Sequence, residues 1–140
     1  MRLSGQMMVN LMACGVAMST PAVAQNPPAR NFSGEYVMQG QGVGPGDQAY
    51  SGSCSVQLDG PAYRVSCVNQ QTRHTYVGKG LALGETFSIF IGDTLRGDHN
   101  SVFTGEYLVV YHRRADGVLE GSWVAAQGAA SGRETLSPAR

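Results

Sequence analysis

The clearest chemistry in the chain belongs to two cysteines that bracket Cys54-Ser-Val-Gln-Leu-Asp-Gly-Pro-Ala-Tyr-Arg-Val-Ser-Cys67. The stretch reads as two short strands joined by a tight turn from Asp59 to Ala62. With Leu58 opposite Tyr63, the same antiparallel register sets Val56 against Val65 and Cys54 against Cys67. Cross-strand neighbours stand about 4.5–5.5 Å apart at Cβ, which approaches disulfide geometry. Alternation places Cys54, Val56, Leu58, Tyr63, Val65 and Cys67 on one face, and Ser55, Gln57, Arg64 and Ser66 on the other. The expectation is a structural disulfide. Neither a Cys/His zinc site nor a Cys–His nucleophile then has its cysteines.

The remaining polar candidates form no recognisable catalytic pattern. His74, His99 and His112 lack H-x-x-H or H-E-x-x-H partners. Asp93, Asp98 and His99 could meet on one loop around a metal, but no ligand spacing supports it. Glu35 and Glu106 each precede a tyrosine in a recurring Phe-Ser/Thr-Gly-Glu-Tyr unit, at 32–36 and 103–107. Two strand-borne carboxylates could serve a hydrolase at the right separation; exposed acids opposite the core are the simpler expectation. Ser33, Ser51 and Ser122 lie beside glycines without a G-x-S-x-G elbow. The expectation is a protein without catalytic residues, cofactor or metal.

Aromatic residues are more suggestive. Tyr36, Tyr50, Tyr76, Tyr107, Tyr111 and Trp123 are spread over nearly all the strand segments. Such side chains first fill a core, and their O–H and N–H groups need partners when they face inward. The alternative is that several line a cup for a small apolar or sugar-like ligand, or form a partner surface.

These residues sit on segments with strand patterning throughout. Strand signals run over Phe32–Met38, the Cys54–Cys67 hairpin, Arg73–Leu83, Thr86–Ile91, Val102–His112, Val118–Val124 and Arg133–Leu136. Glycine-dense Gln39–Gln48 and polar Gly92–Asn100 read as loops, and Asp116-Gly117 as a hairpin turn. In Thr86–Ile91, Phe87, Ile89 and Ile91 share one face. Tyr107, Val109 and Tyr111 do the same in the next long strand, with Leu108 and Val110 opposite. Both faces of that strand are apolar, which suits a central position or a protein-contact surface. The expected fold is all-β, a small antiparallel barrel or barrel-like sandwich of about seven to eight strands with one disulfide. Ser51-Gly-Ser-Cys54 is echoed by Glu120-Gly-Ser-Trp123, so the two halves read as a duplicated β-unit.

Residues 1–24 read as a secretory leader: Arg2, an apolar stretch, and Pro21-Ala-Val-Ala24 as a small-x-small cleavage site. Acylation at Cys14 is the competing reading, weakened by the short apolar run before it. Residues 25–31 form a flexible lead-in, 32–136 one β domain, and 137–140 a tail expected to fray. The full chain carries ten Lys/Arg and ten Asp/Glu, and losing Arg2 with the leader leaves a net charge of −1. That balance favours neither nucleic acid nor an anionic membrane surface. No apolar run is long enough for stable membrane insertion.

The leader resembles bacterial export leaders, implying a periplasmic or extracellular setting. The overall habit is similar to small lipocalin-like or avidin-like barrels, although the lipocalin Gly-x-Trp is absent near the first strand. The leading expectation is a noncatalytic exported module recognising a protein or cell-envelope component, with homo-oligomers allowed. Its rival is a small-ligand carrier with an aromatic-lined interior. Cavity volume discriminates them: a few hundred cubic ångströms of open interior favours the carrier.

Overall fold

The computed structural model describes residues 31–44, 47–95, 102–103 and 106–140. The proposed leader, the Cys14 reading, Asp98 and His99 lie outside them. The strands are β1 (Gly34–Gly42), β2 (Ala49–Asp59), β3 (Ala62–Asn69), β4 (Thr75–Leu83), β5 (Thr86–Leu95), β6 (Val102–Phe103), β7 (Tyr107–Arg113), β8 (Leu119–Ala125) and β9 (Ser131–Pro138). Each pairs antiparallel with its neighbour, in the order β4-β3-β2-β1-β9-β8-β7-β5-β6. A further β4–β5 pairing closes the sheet, so eight strands form a barrel with the short β6 appended to β5. Closure settles the choice between barrel and sandwich. It also satisfies the backbone groups that a free edge strand would expose.

The Cys54–Cys67 hairpin has the register expected from its sequence, with Leu58 opposite Tyr63 and Cys54 opposite Cys67. The disulfide is present, with Cα atoms 4.0 Å apart. Gly60, at φ 62°, supplies the left-handed backbone of the turn. Leu58 departs from the inward pattern. At the hairpin tip it is 58% exposed, and its N–H donates to Ser33 Oγ instead of to a barrel neighbour.

Alternation holds in β5 and β7, whereas β4 carries a register shift between Val77 and Gly78. Phe87, Ile89, Ile91, Val109 and Tyr111 face inward and are buried, while Phe90, Leu108 and Val110 face outward. Several boundaries move. β5 runs through Leu95, past the loop expected from Gly92, because Asp93, Thr94 and Leu95 still pair with β4. The strand expected over Val102–His112 is divided into β6 and β7. β1 runs through Gly42 into the segment expected as a loop, because Gly40 and Gln41 pair with both β2 and β9. β9 runs through Ser137 and Pro138, where the sequence suggests fraying, and Ala139 N–H donates to Glu35 O beyond it.

One end of the barrel is plugged. Phe32 precedes β1, crosses the opening and is fully buried, stacked on Phe87 at 4.9 Å and edge-on to Tyr63 at 6.2 Å. Tyr36 donates its hydroxyl hydrogen to Phe32 O at 2.7 Å, and the Arg113 guanidinium lies 3.9 Å from the Phe32 ring centroid. Leu119, Leu136 and Val56 complete this apolar half. Among the described residues, nothing closes the other end.

Candidate functional site

Five strands place one residue each in a continuous cross-strand row: Tyr50 (β2), Gly40 (β1), Glu134 (β9), Gly121 (β8) and Tyr111 (β7). Glu134 therefore has a glycine on either side and a tyrosine beyond each glycine. Without a Cβ, the glycines leave troughs over which the rings can lie. A Cβ on Gly121 would stand 2.6 Å from Tyr111 Cδ1, and one on Gly40 would overlap the Tyr50 ring. The tyrosines use this space to reach the acid. Tyr50 donates to Glu134 Oε2 at 2.6 Å, and Tyr111 donates to Oε1.

Trp123, two residues along β8 from Gly121, lies over Gly132 in the same manner. A Cβ there would stand 2.5 Å from the indole. From Trp123 the aromatic wall continues around the mouth. Tyr107 sits 6.0 Å from Trp123 at 77°, and Tyr76 sits 6.0 Å from Tyr107 at 88°. Consecutive rings are thus nearly perpendicular, forming adjoining walls instead of a stack. Ile89, Ile91, Val109 and Met38 fill the intervening positions, and Cys67 brings the disulfide to the wall. Asn69 lies at the rim, its Oδ1 accepting the Gln71 and Thr72 N–H groups to hold the β3–β4 turn.

These side chains enclose an open cavity of about 220 Å³. At about 30 Å³ per water of liquid, that is room for roughly seven water-sized groups. Among the described residues, Glu134 is the one carboxylic acid on its wall, and no Arg, Lys or His lines it.

Burial pushes the Glu134 carboxyl above its ordinary range, and the hydrogen bonds from Tyr111 and Tyr50 oppose part of that rise. The two hydroxyls shift upward as well, first through burial and then through the Glu134 charge and their donation to it. For Tyr50 the nearby Trp123 indole offsets a little of this. The indole Nε1–H is nevertheless buried without a partner of hydrogen-bonding geometry. It is an unused donor beside the tyrosine–glutamate cluster. Burial also raises Tyr76, with Tyr107 the next cause.

No protein-family model matches the chain, and no curated protein matches it either.

Of the aromatic residues singled out from sequence, Tyr50, Tyr76, Tyr107, Tyr111 and Trp123 meet in this cavity. Tyr36 does not; it belongs to the plugged half. Glu35 and Glu106 are exposed, with Glu35 accepting from Ser55 Oγ at 2.7 Å, so the repeat brings no acid pair into the interior. His74 packs edge-on against Tyr76 at 6.4 Å, and His112 is on the outside. No group of three metal-binding side chains occurs among the described residues. Glu134 is the residue that sequence reasoning misses. Its only signal is Gly40 and Gly121, and these become its neighbours only once the first and last strands pair.

Proposed function

We propose that the protein is a noncatalytic small-ligand binding barrel that takes its ligand into the open, aromatic-walled end. The observation that carries this is the cavity of about 220 Å³, with rings on its walls and a polar cluster at depth. An interior shaped only for packing would be filled, as the Phe32 end is. Apolar walls with a few convergent polar groups are the usual make-up of a ligand site. Both Glu134 oxygens are engaged by tyrosine hydroxyls, which supports a role in holding a ligand over a role in proton transfer to one. The leader and the disulfide support an exported, periplasmic setting, since disulfides persist in oxidising compartments.

The chain has a single tryptophan, and it lies on the cavity wall, so its emission reports occupancy directly. Titration with a panel of small apolar, sugar-like and amine compounds should find a class that shifts Trp123 emission and raises the melting temperature together. If every class leaves both unchanged at saturating concentration, the reading fails.

A second reading, recognition of an envelope or extracellular protein, is favoured by the outer wall. Phe90, Leu108 and Val124 are cross-strand neighbours on β5, β7 and β8, and each is about half exposed. Contiguous apolar surface of this kind marks contact sites. Leu108→Lys should abolish capture of an envelope partner while leaving ligand-induced emission changes intact. Retained capture would exclude this face.

A further inference from the structure

Resting on the reading of the open end as a ligand site, we propose that its ligand is a small organic cation, a methylated ammonium or an amine. The walls are its aromatic faces and Glu134 is its counter-charge. Three features of the cavity point the same way.

The first is shape. Tyr76, Tyr107 and Trp123 stand at 88° and 77° to one another across 6.0 Å centroid separations. Adjoining perpendicular rings form the corner of a box, and such a box can present more than one π face to a single guest. Ring faces carry negative quadrupole potential, which attracts a cation most when water is excluded.

The second is charge. Among the described residues, Glu134 is the one carboxylic acid on the lining, and no basic side chain opposes it. An anionic guest would meet this carboxylate and the tyrosine oxygens with no cation among the described residues to receive it. An uncharged apolar guest would fit the walls yet leave the acid without a counter-charge. Glu134 retains unused lone pairs, and each tyrosine hydroxyl keeps acceptor capacity after donating its hydrogen. Apart from the Trp123 Nε1–H, the free capacity at this depth is that of acceptors and negative potential.

The third is polarisation. Tyr50 and Tyr111 both donate to the carboxylate, which draws each phenol toward phenolate character. Hydrogen-bond chains polarise their members in this sense. The two rings therefore become better partners for positive charge than isolated tyrosines.

The test uses choline and its uncharged carbon isostere, neohexyl alcohol, which share a shape and differ in charge. Calorimetry on the intact protein should give choline an affinity about tenfold or more above the isostere, consistent with desolvated cation–π attraction. Glu134→Gln should remove most of this preference while leaving the isostere within about twofold. Should that variant fold poorly, Tyr107→Leu at the partly exposed rim should weaken choline more than the isostere. Isostere binding equal to or tighter than choline would overturn the cation assignment and leave the ligand site standing. If neither compound binds, the cation assignment falls; if the wider ligand panel also leaves Trp123 emission unmoved, the ligand site falls with it.

Discussion

Tyr111 reaches Glu134 by lying across Gly121, the residue that stands between them in the sheet. The hydrogen bond therefore depends on an atom that is missing. Gly121→Ala should cost about 1–3 kcal/mol, the usual range for overpacking. Its Cβ would meet Tyr111 and the Val110 carbonyl, neither of which can easily move. Gly40→Ala should instead displace the half-buried Tyr50 ring and break its bond to Glu134. Urea denaturation measures the first; Trp123 emission, sensitive to the adjacent Tyr50, reports the second. Wild-type behaviour in both variants would show that the rings do not need the troughs.

Tyr111→Phe keeps the ring and removes one of the two O–H groups on the carboxylate. Loss of a partner for a buried polar group costs about 1–3 kcal/mol. Denaturant midpoints at neutral pH should show that loss. A cost near zero would mean that the Tyr111–Glu134 bond contributes little to stability.

Glu134 should also make stability depend on pH. Its carboxyl is raised above the ordinary value of 4.5 in the folded chain. Between those two values the folded protein keeps a proton that the unfolded chain has released. Stability from this group is greatest at the acid side and falls as pH rises through the folded value. The melting temperature of the wild type relative to Glu134→Gln should therefore decline with rising pH across that window and level off above it. Tyr111→Phe, having lost a bond that favours the charged form, should move the decline to higher pH. Parallel wild-type and Glu134→Gln curves would contradict the assignment.

Oxidised protein should weigh about 2 Da less than fully reduced protein, with one peptide link joining Cys54 to Cys67. The sequence separation is 13, and loop-closure entropy for such a span is about 3 kcal/mol. Reduction should cost that much or less, because the flanking hairpin already restrains the two residues. Equilibrium unfolding with and without reductant measures it.

Phe32→Ala should be the more damaging of two phenylalanine truncations. It would open the plugged end by removing a fully buried ring stacked on Phe87, at about 3–5 kcal/mol. Phe90→Ala, on the exposed outer wall, should stay within about 0.5 kcal/mol of wild type. Similar midpoints for both would argue that Phe32 does not hold the end closed.

Much of this fold is legible in the sequence because strand alternation is a local signal. The faces of β5 and β7 follow from Phe87, Ile89, Ile91, Tyr107, Val109 and Tyr111, and the hairpin register follows from its turn and cysteines. The length of β1 is not legible. The glycines at positions 40, 42 and 44 resemble a loop, and Gly40 owes its strand position to Tyr50 and Glu134 on two other strands. The site divides in the same way. Its aromatic walls are visible as residue types, yet sequence alone does not separate Tyr36 at the plug from Tyr50 at the cavity. Glu134 carries no local motif, because what distinguishes it is a row assembled from five strands.

The pairing of β1 with β9 has a further consequence. Gly34 and Pro138 lie at the plugged end; β1 leads away from it and β9 returns to it. The polypeptide thus enters and leaves the barrel at the same pole, opposite the mouth. A tether, tag or fused domain attached at either end of the barrel's chain would leave the opening facing away from the point of attachment. Joining those two ends by a short linker and cutting a loop elsewhere should likewise preserve the barrel.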